Sequence, residues 1–454
     1  MAMKLSGRNI LVVGLAQTGL AAANFLVAKG ARVSVTDLRT RKDLNDQIAR
    51  LQGKVRLVLG RHREADFTGA DMIVLSPGVP SGIPPLVRAR ERGIPVWSEI
   101  ELACRFLKGT LIGVTGTNGK TTTTTLIGEM LAAGRRPHVV AGNIGVPLLE
   151  KLEDANDETV WVVELSSFQL ETTRTLHCRV AVVLNVTPDH LDRHASFEDY
   201  WQAKRRILLN QEASDFAVFN RDEPNSRRMA DGAEARPLFF SRLERCAGAF
   251  SRDGKIWIQV DGEPHQVMDR SQVRLKGEHN LENVLAGAAA GFMVGVGPEA
   301  IARACRRFAG VEHRLEWIRD LEGVSFYNDS KATNVESAAK AMEALEQPLV
   351  AIMGGTNKGS DFRVLRPLVK RKVRHLVLLG EAKDSLVEGL RGTAPVSEVG
   401  GFEEAVRRAF VVAVPGDAVL LAPACASFDM FRNYEERGRA FKDLVSRLTG
   451  GEWQ

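Results

Sequence analysis

Residues 111–125 read LIGVTGTNGKTTTTT: an apolar run of strand length, a turn punctuated by Gly116 and Gly119, then Lys120 and a row of threonines opening a helix. Glycines let backbone N–H groups curl toward an anion, and a helix start presents its positive end. Lys120 adds a mobile charge, and the Thr121 hydroxyl is a ligand for Mg²⁺. The general phosphate-loop spacing would put its first glycine at Val114; Gly113 stands one residue early. The strand before and the Gly-Lys-Thr after outweigh that departure. The segment reads as a cradle for the tail of a nucleoside triphosphate.

Phosphoryl chemistry also needs metal ligands and a reacting group. In WVVELSSFQLE, Glu164 closes a strand at the edge where α/β sites lie. It is either a surface acid or a ligand of Mg²⁺. In LNVTPDHLDRH another strand runs into Asp189, His190, Asp192 and His194, a spacing too short and mixed for a zinc helix motif. His190 falls just past the strand end, within reach of the same edge. Lys204 shares a helical stripe with Phe197, Tyr200, Trp201, Ile207 and Leu208. A lysine there either snorkels its amine to the surface or buries it and loses the proton. In the second state CO₂ can convert it to a carbamate, a long carboxylate able to hold a second Mg²⁺.

Further constellations suit nucleotide and acid recognition. His279-Asn280 and Asn283 open a helix, placed for amide contacts to a purine edge. His313-Arg314 precedes a hairpin whose second strand ends in Asn328-Asp329-Ser330-Lys331-Ala332-Thr333-Asn334, with an acid for a ribose and a lysine for a phosphate. GGTNKGSDF carries Lys358, a natural carboxylate clamp, and APACASFDMF carries Ser427. Near the N-terminus, Gly14–Gly19 resembles a dinucleotide turn without its middle glycine; Asp37 and Ser76 close two further strands. Either a nucleoside-diphosphate pocket or a plain sheet with tight turns fits that set.

These residues need strands that end together. Asn9–Val13, Arg32–Thr36, Leu57–Leu59 and Met72–Leu75 read as buried parallel strands, with a helix over Leu20–Lys29. Val160–Glu164, Val180–Asn185 and Phe216–Asn220 continue the pattern. Hairpins are expected about Asp253-Gly254 and Glu322-Gly323, and the last strands at Leu349–Met353, Leu376–Leu379 and Ala418–Leu421. The expectation is an α/β protein of three domains: a Rossmann-like domain over 1–100, a central phosphate-loop domain over 101–311 and a C-terminal Rossmann-like domain over 312–454.

Composition sets the outer bounds. The 454 residues are too many for one core. A net charge of +5 from 61 basic and 56 acidic residues is too mild to argue for nucleic acid, and it suits anionic small ligands. Cys104, Cys178, Cys246, Cys305 and Cys425 are scattered, which argues against a disulfide framework and a zinc site. No apolar run approaches membrane-spanning length, and the N-terminal run Ile10–Val13 is too brief for a signal peptide. A soluble, cytoplasmic monomer without membrane insertion is expected.

TGTNGKTT, ELSSFQLE, NVTPDHLDRH, NDSKATN, GGTNKGSDF and ACASFDMFRNYEERG stand in an order that closely resembles the Mur ligase family, the ATP-dependent amide-forming enzymes of peptidoglycan precursor synthesis. The first string is shared with folylpolyglutamate synthetases; the others resemble the member that joins UDP-N-acetylmuramoyl-L-alanine to D-glutamate through an acyl phosphate. The resemblance implies that Gly116, Thr117, Asn118, Gly119, Lys120, Thr121 and Thr122 hold the ATP phosphates. Thr121, Glu164, His190 and a carbamylated Lys204 would hold two Mg²⁺ ions. Asn283 and Asp329 would take adenine and ribose, with Arg314 near the phosphates. Thr333, Lys358, Ser427, Phe428 and Tyr434 would position D-glutamate with Lys331 close by, and Thr18, Asp37, Arg39, Ser76 and Asn143 the UDP-sugar. Two positions depart from the family's pattern: Leu38 stands where a threonine is expected, and Tyr434 where a phenylalanine is. Other readings open at this point are a family member adding a different amino acid and a nucleotide-gated ATPase that makes no amide.

Overall fold

The computed structural model describes residues 4–143, 146–189, 193–275, 277–357 and 360–450. The chain divides into two compact units, Met1–Phe308 and Ala309–Gln454. Three sheets run through it, two in the first unit and one in the second.

The first sheet holds β1 (Asn9–Val13), β2 (Arg32–Asp37), β3 (Val55–Leu59), β4 (Met72–Leu75) and β5 (Val96–Ser98), all parallel in the order β3-β2-β1-β4-β5. Two of its inner strands, β1 after Asn9 and β4, are apolar throughout because both faces are covered. Ile10 and Val12 enter one core while Leu11 and Val13 enter another.

The second sheet has nine strands in the order β14-β13-β12-β11-β10-β9-β6-β8-β7. They are β6 (Thr110–Thr115), β7 (His138–Gly142), β8 (Val160–Glu164), β9 (Val180–Val183), β10 (Phe216–Asn220), β11 (Arg236–Ser241), β12 (Gly248–Arg252), β13 (Lys255–Gln259) and β14 (His265–Asp269). The hairpin β12–β13 turns at Asp253 (φ 52°) and Gly254 (φ 71°), as its Asp-Gly signal predicts. Trp161, the second residue of β8, is fully buried, and its indole N–H donates to the Lys108 carbonyl at 2.7 Å.

The third sheet is ordered β15-β16-β20-β17-β18-β19, with β15 (Glu316–Leu321), β16 (Val324–Asn328), β17 (Leu349–Gly354), β18 (Val373–Leu379), β19 (Val396–Glu398) and β20 (Ala418–Leu421). Leu349, Ala351 and Met353 face one core, Val350 and Ile352 the other. The β15–β16 hairpin turns at Glu322 (φ 50°) and Gly323 (φ 78°).

Several expected spans shift: the strands expected from Leu57 and Leu376 begin at Val55 and Val373, those expected to end at Thr36 and Met353 reach Asp37 and Gly354, and the helix expected over Leu20–Lys29 runs Gln17–Ala28. The strand predicted over Val180–Asn185 stops at Val183, because Asn185 is drawn away to brace the phosphate loop. The helix predicted over Phe197–Leu208 is α-helical over Phe197–Arg205 and tightens into a 3₁₀ turn at Arg206–Leu208. No helix among the described residues is long and apolar enough to cross a membrane.

Trp161 lies three residues before Glu164 on the same strand, so the core there sets the site edge. Trp161→Ala is expected to lower unfolding free energy by ~3–5 kcal/mol through the cavity and the orphaned Lys108 carbonyl. Urea denaturation measures it; an unchanged midpoint would contradict this account of the core.

Candidate active site

The phosphate loop joins β6 to a helix over Lys120–Ala133. Gly116 (φ 154°) and Gly119 (φ 82°) supply backbone that other residues rarely adopt. A Cβ at Gly119 would meet Asn283 Oδ1 at 2.2 Å, so the glycine also admits that amide. Thr117 N–H donates to the Asn185 carbonyl at 2.8 Å, and Asn118 N–H to Asn185 Oδ1 at 2.8 Å. An α-helix leaves its first N–H groups without intrahelical acceptors, which here face the loop. Lys120 is folded back, its amine donating to the carbonyls of Gly116 and Thr117, both at 2.9 Å.

Glu164 ends β8 at 2% exposure, so the surface reading of this acid is corrected. The Thr121 hydroxyl donates to its Oε2 at 2.8 Å and the Asn143 amide to its Oε1 at 2.9 Å. Asn143 thus sits with Glu164. This is a set of hard oxygen donors beside a phosphate cradle, which fits Mg²⁺. His190 lies outside the described residues.

Lys204 is 2% exposed with its amine buried, which replaces the snorkelling alternative. Ser196 Oγ accepts the Asp199 N–H at 3.1 Å and starts the helix that carries it. The amine donates to Gly116 O at 2.8 Å and lies 4.5 Å from the Tyr200 ring centroid. Burial foremost, then the Lys120 charge, push the amine well below the ordinary lysine range; Asp189 and Glu164 pull it back up. Tyr200 was legible only as part of the stripe. Its hydroxyl is 3.1 Å from Thr117 Oγ1, and its ring meets the buried His194 edge-on. On the far side of the loop, Asn283 Oδ1 accepts from Thr123 Oγ1 at 3.2 Å and its amide donates to Asn280 Oδ1 at 3.2 Å.

At the first sheet's edge, Asp37 is buried at the end of β2. It accepts from Leu15 N–H at 2.7 Å and from the Arg39 guanidinium at 2.8 and 3.1 Å. Burial pushes this carboxyl up, but those hydrogen bonds and the Arg39 charge outweigh it and hold it below its usual value. Ser76 Oγ donates to Gly14 O at 3.0 Å, so the turns after β1 and β4 are joined. A Cβ at Gly19 would lie 1.9 Å from Gly14 O, which explains that glycine. Thr18 lies in the first turn of a helix over Gln17–Ala28, and Leu38 is 64% exposed beside Asp37.

In the second unit, three loops follow β16, β17 and β20. Asp329 N–H donates to Leu421 O at 2.9 Å, Ala424 N–H to Ala332 O at 2.9 Å, and Thr356 and Ala426 exchange backbone bonds at 2.9 and 3.1 Å. Thr333 follows in the first loop, its N–H on Lys331 O at 2.8 Å. The Lys331 amine lies 5.6 Å from the Tyr434 ring centroid. Ser427 is buried and Phe428 is 65% exposed. Lys358 lies outside the described residues. Asp329 is buried, and burial pushes its carboxyl up to about 7 against the opposing charges of Arg314 and Lys331. Sequence reading passed over Arg437, buried under these loops on the helix Tyr434–Arg447. The signal was available: Arg437, Phe441 and Val445 form a buried stripe at helical spacing.

Because Asp329 titrates at about 7 folded against 3.8 as its ordinary value, its contribution to stability is complete below pH 3.8 and is lost as pH rises through 7. Wild type should therefore lose stability relative to Asp329→Asn across that window. Urea titrations at intervals of pH check this, and parallel curves would contradict it.

Family models match the chain in three successive stretches: a Mur ligase MurD-like N-terminal domain over residues 8–98, a Mur ligase middle domain over 114–291, and a Mur ligase glutamate ligase domain over 313–425. The UDP-N-acetylmuramoylalanine–D-glutamate ligase of Acidobacterium capsulatum is 46% identical, over 100% of this chain and 99% of that one. The protein of the same name from Geobacter metallireducens is 46% identical over 99% and 100%. Among solved structures, a pseudomurein peptide ligase type C from Methanothermus fervidus superposes with a TM-score of 0.56 at 18% identity, covering 98% of this chain and 100% of that one. MurF from Acinetobacter baumannii gives 0.54 at 17%, covering 92% and 86%. At such identities the structural match concerns the fold alone.

Proposed function

Since the chain belongs to the Mur ligase family, we infer that the phosphate cradle and its buried lysines serve amide synthesis between UDP-N-acetylmuramoyl-L-alanine and D-glutamate. The protein is an ATP-dependent amide-forming ligase of peptidoglycan precursor synthesis. The observation that carries the site reading is Glu164: a buried strand-end carboxylate bonded to Thr121, the residue after the loop lysine.

We assign residues 1–100 to the UDP-sugar, 101–311 to ATP and 312–454 to the amino acid. The substrate's alanyl carboxylate attacks the γ-phosphorus of ATP; ADP leaves and an acyl phosphate forms. Two anions must approach for this, so buried positive charge is the chain's first contribution. Lys120 supplies it by exchanging the carbonyls of Gly116 and Thr117 for phosphate oxygens, while the first-turn N–H groups hold the β- and γ-phosphates. The D-glutamate amine then attacks the acyl carbon, and the tetrahedral adduct collapses with loss of phosphate. Ser427, Phe428, Thr333, Lys358 and Tyr434 orient that amine; Asn283, Asp329, Arg314 and Lys331 bind the nucleotide. Thr18, Asp37, Arg39, Ser76 and Asn143 bind the UDP-sugar.

Thr121, Glu164, His190 and the modified Lys204 would hold Mg²⁺, which when bound neutralises charge between carboxylate and phosphate. Support for the carbamate is the buried amine of Lys204, pushed by that burial well below the ordinary lysine range and so toward the form that attacks CO₂. Incubation with ¹³C-bicarbonate should give a carbamate resonance that Lys204→Arg lacks; its absence in wild type overturns the modification. We place the protein in the cytoplasm as a monomer.

Incubating the protein with ATP, Mg²⁺, UDP-N-acetylmuramoyl-L-alanine and, in turn, D-glutamate, L-alanine, lysine or diaminopimelate should release ADP and form product with D-glutamate alone. Glutamate-independent hydrolysis without an amide product would favour a regulatory ATPase. Lys120→Ala should lower turnover by at least about 10²-fold while leaving UDP-sugar affinity nearly unchanged. Equal loss of both would contradict the division assigned here.

A further inference from the structure

Arg437 is 1% exposed, among the largest fully buried side chains of the protein. Buried charges are ordinarily paired with an opposite charge. Among the described residues, every hydrogen-bond partner here is neutral. Nε donates to Ser330 Oγ at 3.0 Å, and Nη2 to the carbonyls of Ser330 at 2.9 Å and Cys425 at 3.2 Å. Nη1 reaches the Gly354 carbonyl at 3.5 Å. Among the described residues no carboxylate oxygen lies within ion-pair distance of it. Asp429, the carboxylate whose charge acts on it, accepts instead from Glu381 N–H at 3.2 Å.

The three partners belong to three different segments. Ser330 is the second residue of the loop after β16, Gly354 ends β17, and Cys425 lies in the loop after β20. Thr333 follows Ser330 by three residues, and Ser427 and Phe428 follow Cys425 by two and three; Lys358 comes four positions after Gly354 in the sequence and lies outside the described residues. Ser330 Oγ, besides accepting from Arg437, donates to the Tyr434 carbonyl at 2.8 Å, so the fork also fixes the start of its own helix. Asn433 caps that helix through Glu436 N–H at 2.8 Å, which sets the rotation that turns Arg437 inward. The planar fork of an arginine fixes several acceptors at set angles, which a lysine cannot reproduce.

We propose that Arg437 is the positioning residue of the amino-acid pocket: its guanidinium locks the three loops into one arrangement. Its buried charge, without a carboxylate partner, also favours an amino acid carrying an extra carboxylate. This rests on the assignment of D-glutamate to these loops.

Steady-state ADP release by the full-length protein, with each substrate varied in turn, tests it. Arg437→Met should raise KM for D-glutamate by about tenfold or more and leave KM for the UDP-sugar within about twofold, with the unfolding midpoint followed in parallel. Arg437→Lys, which keeps the charge and loses the fork, should fall between. Ser330→Ala, which removes one acceptor from a loop, should raise KM for D-glutamate alone and covers the case in which Arg437→Met does not fold. A KM for D-glutamate that stays at the wild-type value in any folded variant, or one that rises together with KM for the UDP-sugar, overturns the proposal. Failure of the underlying reading looks different: wild type itself would then show no D-glutamate-dependent ADP release.

Discussion

The carbonyl oxygen of Gly116 accepts hydrogen bonds from two lysines, Lys120 at 2.9 Å and Lys204 at 2.8 Å. Two unit charges about 5 Å apart repel by roughly 3 kcal/mol at an effective dielectric near 20. A hydrogen bond to a carbonyl returns only about 1 kcal/mol. Burial foremost, and then this neighbouring charge, push the Lys204 amine well below the ordinary lysine range. Burial and this shared carbonyl together set a lysine able to meet an anion beside a neighbour whose amine is shifted toward its nucleophilic form. The arrangement also requires Tyr200, whose ring borders the Lys204 amine and whose hydroxyl meets the loop at Thr117.

The carboxylates divide by the company they keep. Glu101 is fully buried, and it accepts from Arg105, from the N–H groups of Arg174 and Thr175, and from the Thr175 hydroxyl. Asp215 is held by Arg179, His177 and Glu212 N–H. Both have charged or multiple donors and are satisfied as structure. Among the described residues Glu164 accepts from a hydroxyl and an amide alone, and burial pushes the Asp329 carboxyl up to about 7. A buried acid with few neutral donors retains capacity for a cation or a ribose hydroxyl, which a saturated one does not.

Much of this was legible in the residues because strands buried on both faces read as unbroken apolar runs, and each polar loop follows one directly. Met72–Leu75, Phe216–Asn220 and Ala418–Leu421 were read at their observed limits, as were the two turns with positive φ. Elements lacking a local signature were not. Val96–Ser98 and Val396–Glu398 have three residues each, and His138–Gly142 opens with a histidine at a sheet edge. Asn185 looks like the end of a strand until its side chain is seen on Asn118 N–H. Arg437 was missed for a different reason: a charged residue on an apolar stripe is ordinarily discounted as a snorkelling side chain, and the carbonyls that bury it come from residues 12 to 107 positions away.

Strand order explains why residues so distant converge. In the second sheet β6 lies between β9 and β8, so the chain leaves β6 in one direction toward β7 and β8 and later returns on the other side with β9. A loop following the strand at such a reversal has helices departing to opposite faces and a crevice beside it. The phosphate loop occupies that position, with Glu164 arriving from β8 and Asn185 from β9. The first sheet reverses between β1 and β4, and the turns after those two strands are the ones that Ser76 joins to Gly14. In the third sheet β20 is inserted between β16 and β17, and the loops after these three strands are the ones Arg437 ties together. Each sheet thus opens at its own reversal, and the polar residues are found there because only there can a loop leave the strand ends without being covered by a crossover helix. A loop at a reversal lacks the packing that a covering helix would give it. Its shape has to come from internal bonds, which is the work of Asn185, Ser76 and Arg437 in turn.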